Sequence, residues 1–368
     1  MARIAIDARL INSSTGRYIE RLLTYLQDVD SVNDYVVIVP KKDRDYWAPR
    51  ADNFQVVTAD YGIYSFSEQI GFCGFLNELD ADLVHFCMPQ QPLFYLKPHV
   101  TTIHDMTLLK TYNSDKNWLI YRLKQMVGKV LFYVIGHTSS QIIAVSKFTE
   151  KEYVAHSNIS PDKVHLTYEA ADVLSKKPKQ PEQIGANDDY ILYVGQQSDY
   201  KNIRRLMQAH QVLRADRPDL KLVLVGSLNE AAKRNQRWAQ EKGLQGVVFT
   251  GFVSDDELAW LYKNTLSYVF PSLMEGFGLP GLEAMIHGAP VASSSATCLP
   301  EVYGDGALYF DPTSVQDMAG VIAGIIDDET ARKELIDKGH EQAAKYSWER
   351  MAKQTHDVYM KALESTKK

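Results

Sequence analysis

Cysteine is scarce in this 368-residue chain: Cys73, Cys87 and Cys298, with no CxxC pair and no His/Cys cluster at zinc spacing. An odd, sparse count excludes a disulfide framework and a structural zinc, and points to a reducing compartment. Long hydrophobic runs are missing too. The most apolar stretch, Val130 to Gly136, falls far short of the roughly 18 residues a membrane-spanning helix requires. The opening MARIAIDARL carries Asp7 inside its apolar stretch and reads as a first strand, not a signal peptide. Positive charge is in deficit, with 40 Lys and Arg against 46 Asp and Glu and a formal net charge of −6. That balance argues against a nucleic-acid-binding protein, and any anionic ligand must be held by local geometry. The GxGxxG fingerprint of dinucleotide redox enzymes is absent, which argues against a nicotinamide oxidoreductase. No loop carries a convincing DxD carboxylate pair for a metal; Asp255-Asp256 reads as a helix cap, so no metal and no cofactor is expected. The expected location is cytoplasmic, at most peripheral at the cytoplasmic membrane face.

What is present is ordinary globular composition, 45% hydrophobic and 23% charged, over a length that suggests two domains. Short β-branched runs (Ile4–Ile6, Tyr35–Val39, Phe54–Thr58, Leu83–Phe86, His99–Ile103, Ile142–Val145) alternate with helix-like stretches such as Arg17–Leu26 and Trp118–Phe132. The pattern restarts with Tyr190–Val194, Lys221–Val225, Val247–Thr250, Ser267–Val269 and Pro290–Ala292. Such alternation predicts an α/β fold of βαβ units with parallel sheets buried on both faces. Two Rossmann-like domains are expected, 1–174 and 190–346, joined by a polar linker over 175–189. The tail, 347–368, spaces Trp348, Met351, Val358, Tyr359 and Ala362 as one helical face. It could pack on either domain, and a return to the first is expected. In open parallel sheets ligands sit at the carboxyl ends of strands, so the site belongs in a cleft between facing strand ends.

The strongest local signal is MEGFGLPGLEA, Met274 to Ala284, directly after a strand-like run. Glu275 and Glu283 have seven residues between them. Gly276 and Gly278 let backbone come close to a ligand, and Pro280 suits a helix start. Backbone N–H groups around Phe277, Gly278 and Leu279 would offer a site for phosphate or sugar oxygens. Glu283, read as first-turn, could accept from a ribose diol, and Glu275 could contact hydroxyls of a transferred group. Ser146 and Lys147 follow the run IIAVS and either line the acceptor or donor side or cap a helix.

This segment resembles the EX7E motif of retaining glycosyltransferases of family GT4, which have the GT-B fold. The resemblance extends to PEVYGDGALYFDP, the early TGRY, the HD pair, AVSKF, YVGQQSDYKN and the closing YSWERM, nearly the whole chain. It implies transfer of a hexose from a nucleoside diphosphate sugar to a glycan or lipid-linked hydroxyl, with retention at the anomeric carbon. In YVGQQSDYKN the strand ends at Gly195, and Lys201 lies where it can stabilise the departing diphosphate. Many members carry Arg directly after the glycine, whereas this chain has Gln196, which brings no charge and leaves more to Lys201. The resemblance also assigns Gly16 to the donor phosphates and His104 to the transferred sugar, with Asp105 able to orient the imidazole. Gly226, and the loop with Phe252 and Val253, resemble those that hold the nucleotide base. GDP-mannose is the favoured donor, with UDP-glucose next. A GT-B-like nucleotide-sugar epimerase and a non-catalytic sugar-nucleotide-binding protein stay open as alternatives.

One segment bears on a partner. From Lys116 to Thr149, Lys116, Arg122, Lys124, Lys129 and Lys147 are basic and no residue is acidic, with Trp118, Tyr121, Phe132 and Tyr133 interleaved. Either this is a core helix with solvated lysines, or it meets an anionic membrane or a lipid-linked acceptor.

Overall fold

A computed structural model describes residues 1–13, 15–111, 118–175 and 177–365. The chain divides into two compact units: Met1–Leu109 with Lys124–Glu169 and Ser347–Lys368, and Lys110–Leu123 with Ala170–Tyr346. The first half runs β1 (Arg3–Asp7), α1 (Gly16–Val29), β2 (Asp34–Val39), β3 (Phe54–Thr58), α2 (Cys73–Leu79), β4 (Leu83–Phe86), β5 (His99–Ile103), α3 (Thr107–Lys110), α4 (Trp118–Thr138), β6 (Gln141–Ala144), α5 (Lys147–Ser157) and β7 (Val164–Leu166). The second runs β8 (Tyr190–Val194), α6 (Ile203–Arg214), β9 (Lys221–Val225), α7 (Glu230–Glu241), β10 (Val247–Gly251), α8 (Asp255–Asn264), β11 (Ser267–Phe270), α9 (Leu279–Ile286), β12 (Val291–Ser294), α10 (Leu299–Tyr303), β13 (Ala307–Phe310), α11 (Val315–Asp327), α12 (Glu329–Ala343) and α13 (Trp348–Ser365).

Among the described residues the first sheet has the order β3-β2-β1-β4-β5-β6-β7 and the second β10-β9-β8-β11-β12-β13, each parallel throughout. Parallel strands need crossovers that cover both faces, so strand residues such as Ile4, Val36, Leu83, Leu192, Val223 and Val269 are fully buried. The direction of winding reverses between β1 and β4 and again between β8 and β11. Those are the positions at which open α/β sheets leave room for a ligand.

Several charged groups inside the first unit are paired. Asp7, the acid inside the opening apolar run, receives both Nε and Nη2 of Arg9 at 2.8 Å, and Arg9 also reaches Glu68 at 2.8 Å. The closing helix belongs to this unit. α13 packs against α1, its His356 lies 3.1 Å from Asp30, and the Tyr359 hydroxyl lies 2.6 Å from His85 Nδ1. Burial pushes His85 down to about 3, so its ring is neutral at physiological pH.

Of the basic, aromatic segment read from sequence, Tyr121 and Phe132 are core residues, Lys147 sits on α5, and Lys116 lies outside the described residues. No helix among the described residues is long and apolar enough to cross a membrane. Residues 175 and 177–189 belong to the second unit, where Ser175 Oγ and the Lys179 amide both bond Asp256 and Ile184 is fully buried. The helix after Val253 is capped by Ser254, in a reciprocal capping box with Glu257. Asp255 and Asp256, read from sequence as the cap, occupy the first turn instead.

Candidate active site

In the second unit glycine marks the ends of three adjacent strands: Gly195 and Gly226 follow β8 and β9, and Gly251 is the last residue of β10. A Cβ on Gly226 would stand 2.2 Å from the Gly195 carbonyl oxygen, and φ of +151° there suits glycine alone. The result is a ledge of bare backbone at the carboxyl edge of the sheet. Beyond it Phe252 is 86% exposed, whereas Val253 is buried. Gln196 is also exposed, and its carbonyl accepts the Tyr193 hydroxyl at 2.5 Å.

Lys201 leaves the loop after β8, and Glu275 the loop after β11. Their head groups meet, Nζ to Oε1, at 2.6 Å, with side chains 15% and 12% exposed. Sequence-remote contacts hold them there. Asn202, buried in the left-handed conformation at φ +64°, donates through Nδ2 to the carbonyls of Pro271 (3.0 Å) and Pro312 (2.7 Å). The Leu273 amide donates to the Tyr200 carbonyl at 2.8 Å. The Lys201 ammonium also lies 5.2 Å from the Tyr200 ring centroid and 5.5 Å from that of Phe270. Burial alone would lower its pKa, but the Glu275 charge, with Tyr193 and Tyr200 behind it, raises it well above the ordinary range. The lysine is a fixed cation.

On the Glu275 side, the residue's amide donates to Thr297 Oγ1 at 3.2 Å. Thr297 sits at φ +58°, a strained setting for a β-branched residue. Gly278, at φ +94°, opens α9 and has no space for a side chain, because a Cβ would lie 2.5 Å from the Tyr303 hydroxyl. That hydroxyl donates to the Gly278 carbonyl at 2.5 Å. Gly276, Phe277 and Leu279 flank this turn, with the Phe277 ring buried edge-on against Tyr346. Glu283 lies in the second turn of α9, a correction to its first-turn placement. It is buried, and its Oε2 receives the Tyr262 hydroxyl at 3.5 Å.

In the first unit His104 follows β5. Its Nδ1 lies 2.9 Å from Glu169 Oε1, and its Nε2 lies 3.0 Å from the Cys87 carbonyl oxygen. Both partners offer acceptor oxygens, an arrangement that favours the doubly protonated ring. Burial opposes that charge, but the hydrogen bond and charge of Glu169 outweigh it and raise the pKa above 6.5. The orienting carboxylate is therefore Glu169. Asp105 instead accepts the Thr107 amide at 2.7 Å, an N-terminal turn contact for α3. Tyr18 packs edge-on against the imidazole at 4.7 Å.

Because the folded-state pKa is raised, the stability from this pair is fully present below pH 6.5. It is lost as pH rises through the higher folded value. Glu169→Gln is expected to lower the His104 titration midpoint, since burial is then opposed by the Cys87 carbonyl and the Asp105 charge without the Glu169 carboxylate, and to reduce the stability loss on the alkaline side. NMR titration of the imidazole checks this, and an unchanged midpoint refutes the assignment.

Of the two acceptor-side candidates after β6, the structure assigns Ser146 to a cap. It is buried, accepts the Thr149 amide at 3.1 Å and donates to Thr149 Oγ1 at 3.0 Å, so its hydroxyl lines no ligand surface. Lys147 is exposed at the start of α5. Gly16 begins α1, and its amide donates to the Ser13 carbonyl at 3.0 Å. Among the described residues no three His, Cys, Asp or Glu side chains gather as metal ligands would.

Glu169, Asn202 and Thr297 escaped the sequence reading. No local signal marked any of them: Glu169 lies just beyond Val164–Leu166, a strand too short to stand out in the sequence.

Two parallel α/β units, with an acid–lysine pair at one winding reversal, define the GT-B class of glycosyltransferase fold. Known proteins agree. The model for Glycosyltransferase Family 4 matches residues 15–173, and that for Glycosyl transferases group 1 matches residues 175–342. The chain is 32% identical over 284 residues to O-antigen chain mannosyltransferase B of Escherichia coli, covering 73% of this chain and 72% of that one. It is 33% identical to the serotype-specific mannosyltransferase WbdA of the same species over 73% of this chain, but spans only 34% of WbdA. Among solved structures, sucrose-phosphate synthase from Thermosynechococcus elongatus superposes with a TM-score of 0.76 at 18% identity, over 99% of this chain and 100% of that one. Anabaena Alr3699/HepE in complex with UDP and glucose gives 0.72 at 16% identity, over 98% and 100%. This chain belongs to glycosyltransferase family 4 and is a hexosyltransferase.

Proposed function

We propose that the chain is a retaining, metal-independent mannosyltransferase that moves mannose from GDP-mannose to a hydroxyl of a glycan or lipid-linked glycan. The observation that carries this reading is the Lys201–Glu275 pair at 2.6 Å, delivered by the loops after two strands that flank a winding reversal. As the glycosidic bond breaks, negative charge builds on the departing diphosphate, and a preorganised cation is worth most there. Lys201 supplies that cation in place of a divalent ion, supported by the N-terminal turn of α9 at Gly278 and by the ledge at Gly195 and Gly226. Glu275 accepts from sugar hydroxyls, Glu283 serves the ribose end, and Phe252 offers a face to the base. Gln196, without charge, leaves Lys201 as the main electrostatic contact. His104, held by Glu169, is assigned to the transferred sugar, while Asp105 and Lys147 remain acceptor-side residues.

The mannose reading is supported by the relatives named for mannosyl transfer. UDP-glucose is the donor to test against it, since the superposing Anabaena protein holds UDP and glucose. The test is a thermal-shift and transfer panel of GDP, UDP and their mannose and glucose derivatives, run with EDTA. GDP-mannose should stabilise the protein most and support transfer undiminished by EDTA, with the α-anomer retained in the product. A preference for UDP-glucose would overturn the donor, and an inverted product the mechanism. An epimerised or free sugar made from donor alone would overturn transfer itself.

A further inference from the structure

We propose that a groove between α6 and α7 of the second unit is a binding site for a phosphomonoester, separate from the Lys201–Glu275 pair. The groove encloses about 490 Å³, within the range of small-molecule sites, and neither Lys201 nor Glu275 lines it. Gln197 and Asn235 do line it, and they are 1% and 6% exposed. Asn235 Nδ2 donates to the Gln197 backbone carbonyl at 3.1 Å and to its Oε1 at 3.4 Å. The oxygen of the Gln197 carboxamide is therefore engaged. Its Nε2 is buried and has no acceptor among the described residues. A buried donor without a partner is rare in a folded protein, and an incoming oxygen is the group that would satisfy it.

The groups around that amide are donors as well. Asn202, Ile203, Arg204 and Arg205 line the groove as the N-cap and first turn of α6. No side chain caps this end, because the Asn202 carboxamide is turned to the carbonyls of Pro271 and Pro312. The first-turn N–H groups are thereby open to an external anion. Each guanidinium is held by a neutral oxygen: Arg204 Nε donates to Asn235 Oδ1 at 3.3 Å, and Arg205 Nη1 to Asn202 Oδ1 at 2.9 Å. Among the described residues neither forms an ion pair. Asp311 feels the Arg205 charge from beyond contact distance, and Asp199, a carboxylate of the lining, is exposed. Arg204 also lies 5.4 Å from the ring centroid of Trp238, which fixes the guanidinium and sets an apolar face beside it. Guanidinium groups bind phosphate oxygens bidentately. Two of them, a carboxamide and a helix start exceed what the two oxygens of a carboxylate can use, and the Trp238 ring suits the organic part of an ester.

The test is calorimetric and fluorescence titration of the full chain, in phosphate-free buffer, with mannose 6-phosphate, inorganic phosphate and mannose. No nucleotide and no acceptor is present, so its outcome is independent of the donor assignment. Mannose 6-phosphate should bind saturably and at least tenfold more tightly than either control. Arg204→Gln with Arg205→Gln should weaken that binding at least tenfold, and Trp238→Phe should remove the fluorescence change, which places the ligand in this groove. Gln197→Met examines the buried carboxamide: affinity should fall at least threefold while the melting temperature holds or rises, whereas a merely structural glutamine would lose stability. Three results would overturn the proposal: no saturable binding of the ester, inorganic phosphate bound as tightly as the ester, or affinity unchanged in the arginine and glutamine variants.

Discussion

Lys201→Ala is expected to lower the rate of sugar transfer by about 10²–10³-fold, the loss typical of removing one preorganised charge stabiliser. The substitution does a second thing. It strands the Glu275 carboxylate, 12% exposed, without the ammonium 2.6 Å away. Breaking such a pair from one side costs about 3–5 kcal/mol, because the remaining charge stays desolvated. A slow, unstable variant alone would therefore say little about chemistry. The informative comparison is Lys201→Met combined with Glu275→Gln, which removes both charges and keeps the volume. Stability should return toward wild type, since paired neutral replacements of buried ion pairs are often close to neutral. Transfer should stay at or below the level of Lys201→Ala, because neither the cation nor the hydroxyl acceptor is restored. Measured kcat with a melting curve separates these effects, and recovery of kcat in the double variant would make the pair structural.

Lys201 and Glu275 were singled out in the sequence by motifs that resemble family 4, placed in loops after strand-like runs, where α/β sheets bind ligands. Runs such as Phe54–Thr58, Leu83–Phe86, His99–Ile103 and Tyr190–Val194 coincide with strands residue for residue, since buried parallel strands leave continuous β-branched and aromatic runs. The two strands that escaped, Val164–Leu166 and Ala307–Phe310, are edge strands of three and four residues with little pattern to detect. What could not be read was partnership across the chain. His104 finds Glu169 65 residues away instead of the adjacent Asp105. Asn202 finds its acceptors 69 and 110 residues away. Such pairings are decided by which strand ends neighbour one another, and only the order of the folded sheet supplies that. The stretch at 175–189 shows the same limit. Its polarity suggested an interdomain linker and gave no sign that Ile184 is buried or that Ser175 and Lys179 bond Asp256 of the second unit.

Gly16→Ala is expected to produce the largest stability loss of any single-methyl addition in the first unit. A Cβ there would lie 1.8 Å from the Ile11 carbonyl oxygen, 2.5 Å from its carbon and 2.8 Å from the Leu10 carbonyl oxygen. All three are backbone atoms, so no side-chain rotation can relieve the clash. Either the turn after β1 or the first turn of α1 must move, although α1 is anchored by buried Ile19, Leu22, Leu23 and Leu26. Overpacking of this kind costs about 1–3 kcal/mol when side chains can yield, and the upper end or more is expected where backbone must shift. The gain in helix propensity from Gly to Ala, at most about 1 kcal/mol, does not offset it. For a unit of this size the melting point should fall by roughly 6–12 °C at about 3 kcal/mol. Thr15→Ala is the control: Thr15 is exposed and forms no side-chain cap, so a change within about 0.5 kcal/mol is expected. The pair also tests what the glycine is for. If Gly16 serves the donor phosphates, Gly16→Ala should raise the KM for donor under conditions where the variant is fully folded. If it serves only the close approach of Ile11, the donor KM should stay at the wild-type value while the melting point drops.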